Sequence, residues 1–211
     1  MVNGGIPMMD ERTSVGVVDA ILGMSAVKRY HGRNTIKTQT LADHSARVAQ
    51  LAFFLALEFY EGDYKKANYV CTLGLFHDLP ESLLECDVPT PVKYQNGIGM
   101  KLKAVESAAV SKLFPDNTYL QNLCMEVASE DDFSLMKLAD LLDLGLYVWE
   151  EQQLGNKTLD ILWSVFKDQL VKQPANLQSL SIVKHCKRKM FSDADVVAFE
   201  VSTNARVSKR A

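Results

Sequence analysis

Apolar positions recur at three- and four-residue intervals along most of this chain, the period of helices that bury one face. Val15 to about Val27 carries that spacing and predicts a first helix. A polar, basic stretch, KRYHGRNTIKTQ, interrupts it. Leu41, Val48, Leu51 and Leu55 then mark a second helix. Thr40 and Asp43 have the spacing of a capping box at its start, which puts His44 in the first turn. A third helix is expected from after Asp63 to His77-Asp78. Pro80 suits the first turn of a short helix that carries Glu81. Two prolines and an Asn-Gly pair read residues 87–97, DVPTPVKYQNG, as a loop. Helices resume over about 98–114 and 118–128. Ser129 with Asp132 caps the next, which ends near Gly155. Another covers 157–172, and a last one follows Pro174. A short strand-like piece near 196–201 departs from the pattern, and the basic ending NARVSKRA reads as frayed. The expected fold is all-α: a single bundle of about six to eight helices. Residues 1–12 form a flexible start, 13–173 the domain, and 174–211 a helical extension with a basic tail.

Composition narrows the class. Apolar residues make up 47% and charged residues 23% of the 211, ordinary for a globular domain. A net charge of -3 argues against binding a nucleic-acid polymer through a basic surface. The longest candidate for a membrane span, Val48 to Leu57, is too short to cross a bilayer and ends in Glu58. The N-terminus lacks a charged-then-apolar leader pattern. These features predict a cytoplasmic protein with no membrane partner. Cys71, Cys86, Cys124 and Cys186 fit no zinc or redox spacing and read as reduced thiols. Trp149 and Trp163 read as core residues, and His185 as surface.

The chemistry centres on His77 and Asp78 in GLFHDLPE. His44 lies upstream in TLADHSARVA, Glu81 three residues after Asp78, and Asp140 downstream in LMKLADLLDL. Two imidazoles and two carboxylates suit a mid-hardness divalent ion such as Mn²⁺, Co²⁺, Fe²⁺ or Zn²⁺. Four protein ligands leave positions open on a six-coordinate ion, as a catalytic site requires. Taken singly, each residue has an ordinary explanation. A lone histidine on an apolar face is more often packed in a core, and Asp140 has Lys137 one turn away. Consecutive residues of a regular helix also diverge by about 100°, so His77 and Asp78 can share an ion only at a helix end. Pro80 gives the helix a reason to stop there.

The order H…HD…D in a helical chain resembles the HD-domain phosphohydrolases, and within them the 5′-deoxynucleotidases of bacteria and phages. KRYHGRNTIKTQTLADHS, GLFHDLPESLL, DVPTPVKY and LMKLADLLD carry the likeness, which covers about residues 20–155. The DVPTPVKY loop is its most specific part. The resemblance implies one divalent metal ion (Co²⁺, Mn²⁺, Zn²⁺, Fe²⁺ or Mg²⁺) on His44, His77, Asp78 and Asp140. It implies Glu81 as the acid that orients or deprotonates the attacking water, and Asp87 as a second acid near the leaving oxygen. Arg29 and Lys93 would hold phosphate, and Tyr30 would pack against the sugar where bacterial members have tryptophan. Gly32 would border the base. The implied partner is a deoxyribonucleotide, and the implied assembly a homo-oligomer.

Two departures stand out. Tyr30 replaces tryptophan, and the stretch from Glu81 to Asp87 is one residue longer than in bacterial monophosphatases. Three functions follow from these residues. The first is hydrolysis of deoxynucleoside 5′-monophosphates. The second is release of triphosphate from a dATP-type substrate, as in phages that exclude adenine from their DNA; the host cytoplasm would then be its location. The third is a degenerate nucleotide-binding module, which the complete ligand set disfavours.

Overall fold

In the computed structural model, residues 10–89, 93, 97–192 and 196 are described. Among them the structure is helical: α1 (Glu11–Ala26), α2 (Leu41–Phe59), α3 (Tyr64–Phe76), α4 (Leu79–Leu83), α5 (Ile98–Leu113), α6 (Thr118–Cys124), α7 (Glu130–Gln153), α8 (Asp160–Lys172), α9 (Ala175–Gln178) and α10 (Ser181–Met190). The described residues include no strand, only an isolated bridge between Lys28 and Thr40. None of these helices is long and apolar enough to cross a membrane. The chain groups into two compact units. One comprises Met1–Gly32, Thr38–Ala46 and Leu75–Ser129; the other Arg33–Lys37, Arg47–Gly74 and Glu130–Ala211.

The first unit packs α1 against α4 and α5. Ala20, Met24, Leu41, Leu79, Val110, Leu113, Phe114 and Cys124 form its buried cluster. A Cβ on Gly23 would meet the Ser82 carbonyl oxygen at 3.2 Å, so glycine lets α1 lie close on the short helix that carries Glu81. Helix α1 begins one turn before Val15, because the Asp10 carboxylate accepts the Thr13 N–H at 2.7 Å. That correction removes residues 10–12 from the expected flexible start; residues 1–9 lie outside the described residues.

In the second unit α8 and α10 pack on α7. Gly145 admits the Phe166 ring, whose Cζ would lie 2.4 Å from a Cβ there. Trp163 and Phe191 extend this aromatic layer, with ring centroids 5.3 and 5.1 Å apart for Trp163–Phe166 and Trp163–Phe191. Trp149 and Trp163 are half-buried rather than core, and Lys189 lies over the Trp149 ring at 4.8 Å. Residues 33–37 are held by backbone contacts. Glu151, fully buried, accepts the Ile36 and Lys37 N–H groups at 2.8 and 2.6 Å. Tyr147 Oη donates to the Lys37 carbonyl at 2.7 Å, and Asn156 Nδ2 to the Asn34 carbonyl at 2.9 Å. Helix α8 starts at Asp160 rather than 157, since the Asn156 side chain engages the Thr158 N–H and hydroxyl. The final helix divides into α9 and α10. The strand expected near 196–201 lies outside the described residues except for Val196, whose N–H donates to the Ser192 carbonyl.

Candidate active site

The first unit brings most of the expected residues together. His44 is set by the capping box at the start of α2. Thr40 N–H donates to Asp43 Oδ2 at 3.0 Å, and Asp43 N–H to Thr40 Oγ1 at 3.1 Å. His77 and Asp78 occupy the two-residue break between α3 and α4. Asp78 has φ -101° and ψ 7°, off the helical minimum, and this break is what lets consecutive side chains converge. His44 Nε2 and His77 Nε2 lie 3.2 Å apart, and each is 3.3 Å from an oxygen of Asp78. His44 is fully buried and His77 nearly so. Two imidazole nitrogens and a carboxylate closing on one point form a lone-pair-rich set that suits a divalent cation.

Arg29 Nη1 donates to Asp78 Oδ2 at 2.9 Å. The Arg29 backbone is fixed at the base of its loop, where its N–H donates to the Gln39 carbonyl and Leu41 N–H to that of Val27. Tyr30 takes a left-handed conformation, φ 56°, which is costly for a side chain of this size. Its N–H donates to Asp87 Oδ2 at 3.3 Å, and the Arg29 guanidinium lies 5.5 Å from the Tyr30 ring centroid.

Glu81 is 6% exposed. Lys93 Nζ donates to its Oε1 at 2.6 Å, while its buried Oε2 has no hydrogen-bond partner among the described residues. Burial, then the nearby Asp78 charge, push the Glu81 carboxyl up to about 8 against the pull of Lys93. A buried carboxyl raised this far suits a proton acceptor near neutral pH. Lys93, expected on phosphate, thus engages Glu81. A Cβ on Gly99 would meet the Lys93 carbonyl oxygen at 2.6 Å, so the start of α5 carries glycine where the Lys93 backbone passes. Glu106 on α5 is a group that sequence reasoning missed. Burial raises its carboxyl despite the attraction of Lys93, and no motif marks it.

The remaining expected residues are placed as follows. Gly32 is exposed, and a Cβ there would meet nothing within 4 Å. Residues 90–92 and 94–96 of the DVPTPVKY loop and its continuation lie outside the described residues. Asp140 is half-buried on α7 in the second unit, with Lys137 Nζ 3.8 Å from its carboxylate. In that unit Arg47 Nε donates to the fully buried Asp143 at 2.5 Å. All four cysteines are free thiols, and Cys86 is exposed.

Comparison with known proteins places this geometry. The family model described as 5′-deoxynucleotidase YfbR-like matches residues 18–190. A 5′-deoxynucleotidase of Photobacterium profundum is 32% identical over 143 residues, covering 63% of this chain and 73% of the relative. An HD-domain phosphohydrolase of Listeria innocua superposes with a TM-score of 0.66 at 16% identity, covering 94% of this chain and 99% of that one. A cyanophage S-2L HD phosphohydrolase, bound to dA and one catalytic Zn²⁺ ion, gives 0.62 at 17% identity, covering 87% and 97%. At these identities the two structures establish the fold.

Proposed function

Since the chain belongs to the YfbR-like 5′-deoxynucleotidases, a branch of the HD-domain phosphohydrolases, we infer that it hydrolyses deoxynucleoside 5′-monophosphates to deoxynucleoside and orthophosphate. The observation that carries this reading is the convergence of His44, His77 and Asp78, with Arg29 on one side. We propose these three, with Asp140, as ligands of one divalent ion. The family likeness supports Asp140 as the fourth.

When bound, the ion supplies Lewis-acid polarisation of a phosphoryl oxygen and a lowered pKa for water at its open positions. The side chains account for the rest. Glu81, buried and basic for a carboxylate, orients the attacking water and takes its proton on Oε2. Arg29, beside Asp78, is the guanidinium for the phosphoryl oxygens. Lys93 holds Oε1 of Glu81 and so fixes which oxygen faces the water. Asp87 stands near the leaving oxygen as the second acid, and Tyr30 beside the sugar. The same family likeness leads us to propose a cytoplasmic homo-oligomer with a nucleotide substrate and no nucleic-acid or membrane partner.

The test is a product assay. Purified protein is incubated with dAMP, dATP, AMP and ATP in Mn²⁺, Co²⁺ or Mg²⁺, and orthophosphate, triphosphate and nucleoside are identified. Orthophosphate and deoxyadenosine from dAMP, with dATP untouched, is the expected result. Triphosphate from dATP would replace it with the triphosphohydrolase activity.

A further inference from the structure

Helix α1 shows two opposite faces. Ala20 and Met24 are buried, and Gly16 and Gly23 face Leu113 and Ser82 at close range. On the other side Val15, Val18 and Leu22 are exposed at 57%, 55% and 64%, with Ile21 beside them at 55%. Glu11, Val15, Val18, Leu22 and Ser25 follow one another at spacings of four, three, four and three. Val15, Val18 and Leu22 keep the three- and four-residue alternation of a two-helix seam, with Glu11 and Ser25 as its polar ends and Ile21 at its edge. The buried Ala20 sits where a coiled coil turns away from its partner. The helix therefore has one apolar face inside the protein and a second outside it.

The geometry points to this seam as a self-association surface: a second copy of the chain docks its own α1 antiparallel across a two-fold axis. An isologous contact needs a self-complementary face, and the charges supply it. With Val15 of one copy against Val18 of the other, Arg12 comes beside Asp19 of the second copy, twice by symmetry. Both residues are exposed and flank the seam. Sliding the pair by one heptad, to set Val18 against Leu22, brings the two Asp19 carboxylates together instead. The Arg12–Asp19 pairs thus favour the first register, in which Glu11, at the open end of the helix, lies beside Leu22 of the second copy. The sixteen-residue helix is about 24 Å long. Because it is already folded on its own unit, it docks without the cost of ordering a free helix. The inference rests on the proposed homo-oligomer and assigns its contact.

Sedimentation velocity over about a hundredfold concentration range tests it. The expected result is a concentration-dependent oligomer for the full chain. Val18→Glu with Leu22→Glu should lose the α1 contact while keeping the helical circular dichroism and the turnover per protomer. Arg12→Glu should weaken association by about tenfold or more, and Arg12→Glu with Asp19→Arg should restore it. A full chain that stays monomeric overturns self-association altogether. If deleting residues 1–9 then creates an oligomer, those residues are the occupant instead. An oligomer indifferent to Val18→Glu with Leu22→Glu overturns the α1 surface alone. Failure of the charge exchange to restore association overturns the antiparallel register.

Discussion

Replacing Glu81 by glutamine should make the metal-free protein more stable at alkaline pH. A carboxyl raised from 4.5 to about 8 keeps its proton in the fold where the unfolded chain has lost it. The fold then binds more protons, so stability falls as pH rises between 4.5 and about 8. At about 1.4 kcal/mol per pH unit, the loss reaches a ceiling of roughly 5 kcal/mol above pH 8 and roughly 3 kcal/mol at pH 7. Glutamine cannot ionise and has nearly the same shape. Below about pH 8 the wild-type carboxyl is itself neutral in the fold, so both side chains offer Lys93 a neutral acceptor and the variant adds no slope of its own there. Urea unfolding of both proteins in a chelator, from pH 5 to 9, reads the difference. The wild-type curve should fall relative to the variant up to about pH 8 and run parallel beyond it. A divalent cation should flatten the difference, because its charge favours the ionised carboxylate. Turnover should drop by about 10²- to 10⁴-fold with metal still bound. Parallel stability curves over the whole range would refute the buried, raised carboxyl.

Three further outcomes follow from named contacts. Arg29→Ala should raise KM by about 10- to 100-fold, the worth of a charge-assisted hydrogen bond to phosphate, and steady-state kinetics with dAMP measure it. Gly99→Ala puts a methyl 2.6 Å from the Lys93 carbonyl oxygen; it should lower kcat about tenfold with little change in KM, and add nothing to Lys93→Met. Glu151→Ala strips the acceptor from three donors and should cost about 3 kcal/mol, read as a thermal midpoint lower by about 10 °C.

Three helix starts were legible because their caps are chemical. The Thr40–Asp43 exchange, the Asp63 carboxylate on the N–H groups of Lys65 and Lys66, and Pro80 in α4 are all visible as residue types at fixed spacing. Helix ends were less so. At Glu61, Glu85 and Glu126 the chain turns left-handed, with φ of 51°, 54° and 58°. In each case the next N–H reaches back five residues to a helix carbonyl. Glycine is the usual signal for that turn; it takes the position itself at Gly155 after α7, and at the end of α2 it comes one residue late, at Gly62. Side-chain partners across long separations were also hidden. Nothing in the sequence ties Glu151 to Ile36 and Lys37, or Lys93 to Glu81, because those pairings depend on packing rather than on local period.

The two places where the resemblance implied departures from the bacterial pattern, Tyr30 and the stretch from Glu81 to Asp87, meet in one hydrogen bond. Where α4 ends, Glu85 goes left-handed, its N–H returns to the Ser82 carbonyl, and Cys86 N–H to that of Glu81. That turn redirects the chain before Asp87. Tyr30, also left-handed, points its N–H at the Asp87 carboxylate. A non-glycine residue in this conformation costs about 1 kcal/mol or more, and the fold carries two of them to make one contact. The residue that would pack on the sugar and the acid that would serve the leaving oxygen are therefore coupled through a backbone hydrogen bond. Removing Glu85 should disturb Tyr30 as well as Asp87, so sugar discrimination, measured as the dAMP to AMP ratio of kcat/KM, should change together with kcat. A deletion that lowers kcat at an unchanged ratio would separate them.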